Sequence, residues 1–200
     1  LLVGLLNRIG EGRFMVFTNT RIATDRVQRT LEANGFHAAS ISGGVPQKKR
    51  QSLMRRFHDG EIPILVATDV AARGLHIPEV THVINFDLPQ DAPDYVHRIG
   101  RTARLGARGE AISFACENYA FHLPEIEDFI GYPIPMEQAE PELLPDIKRA
   151  APPPRKESRG RSHKGGRGQR SRGGGQHDGD KPNRNRRRRR RPKGGNDAQG

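Results

Sequence analysis

The sequence contains few residues that could form a disulfide or a metal site. Cys116 is the only cysteine, which excludes an internal disulfide and a cysteine-based metal cluster, and we expect a reducing, cytoplasmic environment. Because Cys116 follows a predicted strand and has no activating neighbour, we expect a small buried side chain and not a nucleophile. The eight histidines follow no metal-ligand spacing, so we predict no metal site.

Long apolar segments are also missing. The apolar residues 1–6 are too few to span a bilayer, and no basic segment precedes them, so we expect no membrane contact. The sequence does not begin with Met, and we interpret it as part of a longer chain that starts within a first helix.

Charge divides the chain into two parts. Residues 1–147 carry 15 basic and 19 acidic side chains, whereas residues 148–200 carry 19 basic and 4 acidic ones. After Ala151 the only apolar side chain, proline apart, is Ala198, which is too little to form a core. We therefore predict three parts: a globular domain over 1–135, a linker over 136–151 and a disordered Arg/Gly-rich tail over 152–200.

The tail is rich in arginine and includes six consecutive arginines, Arg186–Arg191. Disordered arginine-rich segments bind RNA through phosphate charge and planar stacking. A solvated basic tail or a partner-binding extension would have the same composition. We favour nucleic acid as the ligand, because a strongly basic segment has few other partners.

Strand-like apolar runs alternate with helical patterns in the globular part. The predicted strands are residues 14–18, 36–41, 64–68, 81–86 and 110–115. Helical patterns separate them, and a last helix is predicted over residues 118–130. This alternation predicts crossover units, hence a three-layer α/β domain with a mainly parallel sheet.

Polar residues follow four of the predicted strands. They are Asn19 and Thr20, Ser42 to Gly44, Thr68 and Asp69 with Arg73 and Gly74, and Asp87. Each alone is typical of an ordinary cap or turn. In a parallel sheet, however, the carboxyl ends of the strands share one edge, where ligands bind. We therefore expect these residues to form one functional rim.

Three arginines stand close together in residues 95–104. Arg98, Arg101 and Arg104 are spaced by three residues, so a helix that begins at Asp91 and ends at Gly106 would place them on neighbouring faces. Guanidinium groups suit phosphate oxygens, and phosphoryl transfer needs such charge stabilisation. A merely solvated basic helix is the alternative. Gly100 argues against this alternative, because glycine inside a helix lowers stability by about 0.5–1 kcal/mol relative to Ala.

Four ordered segments carry a family resemblance. They are Val16–Thr20, Gln47–Arg50, Ala67–Leu75 and Tyr95–Thr102. Together they resemble the second RecA-like lobe of a DEAD-box RNA helicase, over about residues 1–135. The resemblance implies a RecA-like fold and an ATP-dependent RNA helicase that acts in RNA degradation.

The resemblance also implies roles for individual residues. Arg101 and Arg104 resemble arginine fingers that reach the γ-phosphate of ATP. Nucleotide-binding and lobe-coupling roles are implied for Asp69, Arg73, Gly74, His76, His97, Arg98 and Gly100. An RNA-backbone surface is implied for Asn19, Thr20, Gly43, Gln47, Arg50 and Thr68. The chain departs from the family pattern at His76, where Asp is usual, and at Ala103, where Gly is usual.

The sequence lacks two motifs that the helicase reaction needs. It has neither a G-x-x-x-x-G-K-[ST] phosphate loop nor an Asp-Glu-Ala-Asp segment, and the resemblance assigns both to a first RecA-like lobe. We therefore expect ATP and Mg²⁺ as cofactors, held mainly by that lobe, and expect residues 1–200 alone to be inactive. RNA, the first lobe and an RNA-degrading complex with an endoribonuclease are the expected partners. A non-catalytic RNA-binding adaptor and a DNA translocase lobe are the alternatives.

Overall fold

The computed structural model describes residues 1–74, 77, 80–102 and 109–150. Five strands are present in this part of the chain: β1 (Phe14–Phe17), β2 (Ala38–Ile41), β3 (Ile64–Ala67), β4 (His82–Asn85) and β5 (Glu110–Ser113). Its α-helices are α1 (Leu2–Ile9), α2 (Arg21–Ala33), α3 (Gln47–His58), α4 (Asp69–Ala72), α5 (Ala92–Ile99) and α6 (Leu123–Ile130). Two 3₁₀ turns complete it, Ala120–His122 and Pro141–Leu143.

All five predicted strands are confirmed, each shorter by one or two residues. They form one parallel sheet in the order β2-β3-β1-β4-β5. The central strands β1 and β3 are buried along their whole length, as their continuous apolar runs indicate. The order places the carboxyl ends of β3, β1 and β4 side by side.

Helices cover both faces of the sheet. On one face, Met15 and Leu65 pack with Phe57 of α3. On the other face, Val16 packs with apolar side chains of α1 and α2. Alternate residues of each strand therefore enter different cores, which makes the three-layer α/β fold that the sequence predicts.

Two helices differ from their predicted extents. The last helix does not begin near residue 118: a 3₁₀ turn precedes α6, whose first turn contains Pro124. Helix α5 ends at Ile99 and does not continue to Gly106. Gly100 caps it, donating its N–H to the Val96 carbonyl oxygen at 2.9 Å. A Cβ at this position would lie 3.0 Å from that oxygen. This close approach at the end of the helix gives the reason for a glycine at position 100.

Two expectations about the C-terminal part of the domain are wrong. Cys116 is exposed, because β5 ends at Ser113 and leaves it in the turn beyond the sheet. The segment assigned to a linker packs on the lobe in the part that the structure describes. There Leu143 is buried, and Arg8 of α1 donates a hydrogen bond to Glu140 at 2.9 Å.

Among the described residues, none of the helices has the length and apolar character needed to cross a membrane.

Substituting Gly4 tests the packing of the segment 136–150 on α1. A Cβ at Gly4 would lie 2.2 Å from the carbonyl oxygen of Leu143. Gly4→Ala should therefore lower the free energy of unfolding by about 1–3 kcal/mol, as overpacking does. Thermal unfolding measures the loss, with Gly43→Ala as control because an added Cβ there meets no atom within 4 Å. Equal stability of the two variants would contradict the packing.

Candidate functional site

Arg98 lies at the centre of the carboxyl edge of the sheet. Its side chain is only 1% exposed. Asp69 accepts from Nε at 2.7 Å through Oδ1 and from Nη2 at 2.7 Å through Oδ2. Nη1 donates to Asn85 Oδ1 at 3.2 Å and to the Asp87 carbonyl oxygen at 2.6 Å, while Nη2 also donates to Asn19 Oδ1 at 2.8 Å. These five bonds match the five N–H donors of a guanidinium.

The acceptors of Arg98 come from three separate parts of the chain. Asn19 follows β1, Asp69 begins α4, Asn85 ends β4 and Asp87 follows it. The Phe17 ring lies beneath the guanidinium, with its centroid 5.1 Å from Cζ, within the range of a cation–π contact. One side chain therefore joins the loops after three adjacent strands.

This environment corrects the predicted place of Arg98. Sequence spacing placed Arg98 and Arg101 on neighbouring faces of one helix, but α5 ends between the two residues. Since every N–H of Arg98 is bonded within the lobe, its side chain holds the rim together from inside. A role in coupling to another lobe would have to act through the residues that it positions.

Asn19 also faces the interior of the rim. Its backbone N–H donates to Asp87 Oδ2 at 2.9 Å, and its side-chain Nδ2 donates to the Leu88 carbonyl oxygen at 2.7 Å. With its Oδ1 bonded to Arg98, the Asn19 side chain is engaged within the lobe. An RNA contact by Asn19 stays a prediction.

Asp94 joins two other residues of the predicted site. The residue lies in the first turn of α5, and its Oδ1 accepts a hydrogen bond from Nη2 of Arg73. The same oxygen lies 3.6 Å from Nδ1 of His97. The hydrogen bond and charge of Asp94 raise the pKa of the Arg73 guanidinium.

A shallow pocket brings most of the predicted nucleotide-side residues together. Arg73, His97, Arg98 and Arg101 line it, and the remaining lining residues are Phe17, Asp69, Ala72 and Asp94. Gly100 lies in the turn that connects Arg98 to Arg101, and the Arg101 N–H donates to the Arg98 carbonyl oxygen at 3.1 Å. Gly74 follows Arg73 with a positive φ of 72°. Arg104 and His76 lie outside the described residues.

The residues predicted to contact RNA lie toward the β2 side of the same edge. Thr20 caps α2, accepting the Ala23 N–H at 3.1 Å, and Thr68 occupies the cap position of α4. Gly43 and Gln47 are exposed between β2 and the first turn of α3. They are joined there by Arg50, whose Nη2 lies 3.5 Å from the Ser42 carbonyl oxygen.

Sequence reasoning missed three residues of this site. Asn85 and Asp87 bind Arg98, and Asp94 binds Arg73. Asp87 was placed on the rim but given no role. A polar Asn at the end of an apolar strand was the available signal for Asn85, and the position of Asp94 one turn before His97 was the signal for Asp94.

Comparison with protein-family models matches residues 1–106 to the helicase conserved C-terminal domain. The chain belongs to this helicase family. The resemblance to the second RecA-like lobe of a DEAD-box RNA helicase is thereby confirmed. The roles of single residues stay predictions.

Curated relatives of this helicase lobe are RhlB proteins. The ATP-dependent RNA helicase RhlB of Xanthomonas oryzae is 60% identical over 151 residues, which are 76% of this chain and 26% of that protein. RhlB of Haemophilus influenzae is 52% identical over 159 residues, 76% of this chain and 38% of the relative. The chain thus spans about a quarter to two fifths of these relatives.

Solved structures show the same fold. The E. coli DEAD-box protein SrmB, bound to the regulator RraA, superposes with a TM-score of 0.67 at 37% identity, covering 76% of this chain and 88% of that one. S. cerevisiae Dbp5 bound to RNA and ADP BeF3 superposes with a TM-score of 0.60 at 33% identity, covering 65% of this chain and 35% of that one.

Replacing Arg98 tests its structural importance. Arg98→Gln leaves the Asp69 carboxylate without its guanidinium partner, which should lower the free energy of unfolding by about 3–5 kcal/mol. Chemical denaturation of the domain measures this loss in the free energy of unfolding. The exposed Arg26 of α2 provides the matched control, because Arg26→Gln should change stability by less than about 0.5 kcal/mol. We call Arg98 with its acceptors Asn19, Asp69, Asn85 and Asp87 the hub. Similar stabilities of the two variants would contradict the structural importance of the hub.

Proposed function

We propose that this lobe is the C-terminal half of an ATP-dependent RNA helicase whose ATPase site closes between it and a first RecA-like lobe. The observation that carries the proposal is the pocket at the carboxyl edge of the sheet. Arg73, His97 and Arg101 line it from the end of α4, from α5 and from the turn after α5, around the buried Arg98. Such a cationic edge suits a phosphate chain presented by another lobe.

The residues of the pocket fit a nucleotide but not a metal. Its carboxylates are already paired: Asp69 with Arg98, and Asp94 with Arg73. Within the described residues there is also no group of three or more His, Cys, Asp or Glu side chains that could hold a metal ion. We therefore propose that Mg²⁺ arrives with ATP and is held by the first lobe. ATP supplies the phosphoryl group whose transfer to water drives the cycle.

Each arginine of this edge would have a different task. Arg98 is buried and fixes the backbone of the rim. Arg101 follows it by three residues, is half-buried and lines the pocket. We propose that Arg101 stabilises the charge on the transferred phosphoryl oxygens, as arginine fingers do, and we assign the same task to Arg104 from the family resemblance alone. Because its backbone is bonded to Arg98, the geometry of Arg101 depends on the hub.

RNA would bind along the neighbouring part of the rim. Thr20, Gly43, Gln47, Arg50 and Thr68 lie there, and hydroxyl, backbone and guanidinium donors of this kind contact phosphate and sugar without reading bases. Support comes from Dbp5, a relative solved with RNA. A cytoplasmic location and a role in RNA degradation with an endoribonuclease are part of the proposal; the first rests on the single cysteine of the sequence and the second on the family resemblance.

Arg101→Gln in the full-length parent protein tests the proposed function. RNA-stimulated ATP turnover should fall by about 10³-fold or more, because an arginine finger acts on the transition state. Arg26→Gln, the same change on an exposed face of α2, should leave turnover unchanged. Residues 1–200 alone should show no turnover above background. Turnover of the parent that is indifferent to RNA and to Arg101 would favour the adaptor.

Removing residues 152–200 from the parent tests the basic tail. The tail's arginines and lysines should each neutralise phosphate charge and release counterions, so RNA affinity should fall and its salt dependence should become weaker. RNA-stimulated turnover at saturating RNA should remain. Affinity measured by fluorescence anisotropy across a salt series gives both quantities, and an affinity that is unchanged at low salt would contradict RNA binding by the tail.

A further inference from the structure

We propose that Asp94 is a positioning residue for the ATPase reaction, because its carboxylate holds Arg73 toward the pocket that Arg101 lines. This inference rests on the proposed function and adds a residue that the motif resemblance does not assign. It is argued from the geometry of α4 and α5.

Asp94 occupies an unusual position for an acidic residue on a helix surface. Its side chain is only 13% exposed, although α5 presents its neighbours Pro93 and Val96 to solvent. Its Oδ1 accepts the hydrogen bond from Arg73 and lies 3.6 Å from His97 Nδ1. One carboxylate oxygen therefore faces two cationic or potentially cationic groups from two different helical segments.

Arg73 depends on this contact for its orientation. It follows the last residue of α4 in an extended conformation, and Gly74 comes next with a positive φ. The side chain is 62% exposed. Among the described residues, Asp94 is the hydrogen-bond acceptor of its guanidinium. A long side chain without such an anchor samples many rotamers, and fixing it during a reaction costs conformational entropy.

Arg73 and Arg98 have different carboxylate partners. The Asp69 carboxylate is close enough to Arg73 to raise its pKa further, yet both Asp69 oxygens accept hydrogen bonds from Arg98. Arg73 donates instead to Asp94. One guanidinium therefore lies exposed at the pocket, and the other is buried in the lobe.

The effect on chemistry follows from preorganisation. Charged donors that are in place before the phosphate chain arrives stabilise the transition state without a reorganisation cost. Misplacing such a group by about 1 Å can reduce the rate roughly 100-fold. Asp94 touches neither phosphate nor water in this scheme; it acts through Arg73.

Asp94→Asn in the full-length parent protein tests this inference. The change keeps the size of the side chain but removes the charge that holds Arg73. We expect kcat for RNA-stimulated ATP hydrolysis to fall roughly 10- to 100-fold, with a smaller change in RNA affinity. Asp91→Asn is the matched control, since Asp91 also acts on Arg73 through its charge but lies at the cap of the same helix without a side-chain capping bond. The control should retain the kcat of the wild type.

A double-mutant cycle separates positioning from a general effect on the fold. If Asp94 acts through Arg73, the pair Arg73→Gln and Asp94→Asn should be no slower than Arg73→Gln alone. If the kcat losses of the two single variants multiply in the double variant, Asp94 does not act through Arg73. An unchanged kcat in Asp94→Asn, or a kcat loss accompanied by a Tm loss well beyond that of Asp91→Asn, would also overturn the inference. A wild-type parent without RNA-stimulated turnover would overturn the proposed function as well.

Discussion

The rim of this lobe depends on a single buried guanidinium. Removing a charged group from water is costly unless it is paired and hydrogen-bonded. Arg98 meets that condition through one bidentate carboxylate, two side-chain amides and a main-chain carbonyl. Because these acceptors follow β1, β3 and β4, the loops cannot shift independently. The geometry of the whole carboxyl edge is therefore fixed by one side chain.

The three arginines that line the pocket differ in role because their environments differ. Arg98 is buried and stabilises the fold, Arg73 is exposed and anchored by one carboxylate, and Arg101 lies half-buried at the pocket. Lysine could not replace Arg98, because a single ammonium cannot reach acceptors spread around a plane. Loss of activity in an Arg98 variant would consequently report on the fold, whereas variants of Arg101 and Asp94 report on chemistry.

Local sequence patterns predicted the fold well and the site less completely. Continuous apolar runs marked all five strands, and the cap at Thr20 was evident from its residue type. The end of α5 was missed because the three-residue spacing of arginines indicates helix faces but not where the helix stops. The burial of Arg98 could not be predicted either, since its acceptors include Asn19, 79 residues away. The packing of Leu143 likewise depends on a tertiary contact with α1.

The free-energy cost of burying the Arg98–Asp69 ion pair also bears on why the pair lies at this edge. Buried ion pairs contribute little to stability compared with apolar side chains of similar volume, so stability alone gives a weak reason to retain Arg98 and Asp69. The proposed function gives a stronger reason to retain the pair. In that proposal the edge presents Arg101, Arg73 and His97 to another lobe, and electrostatic catalysis requires donors that do not move when charge develops. The hydrogen bond from the Arg101 backbone to Arg98 and the contact of Asp94 with Arg73 extend the rigidity of the core to the pocket. Rigidity at this edge, rather than added stability, is thus what the buried charge supplies.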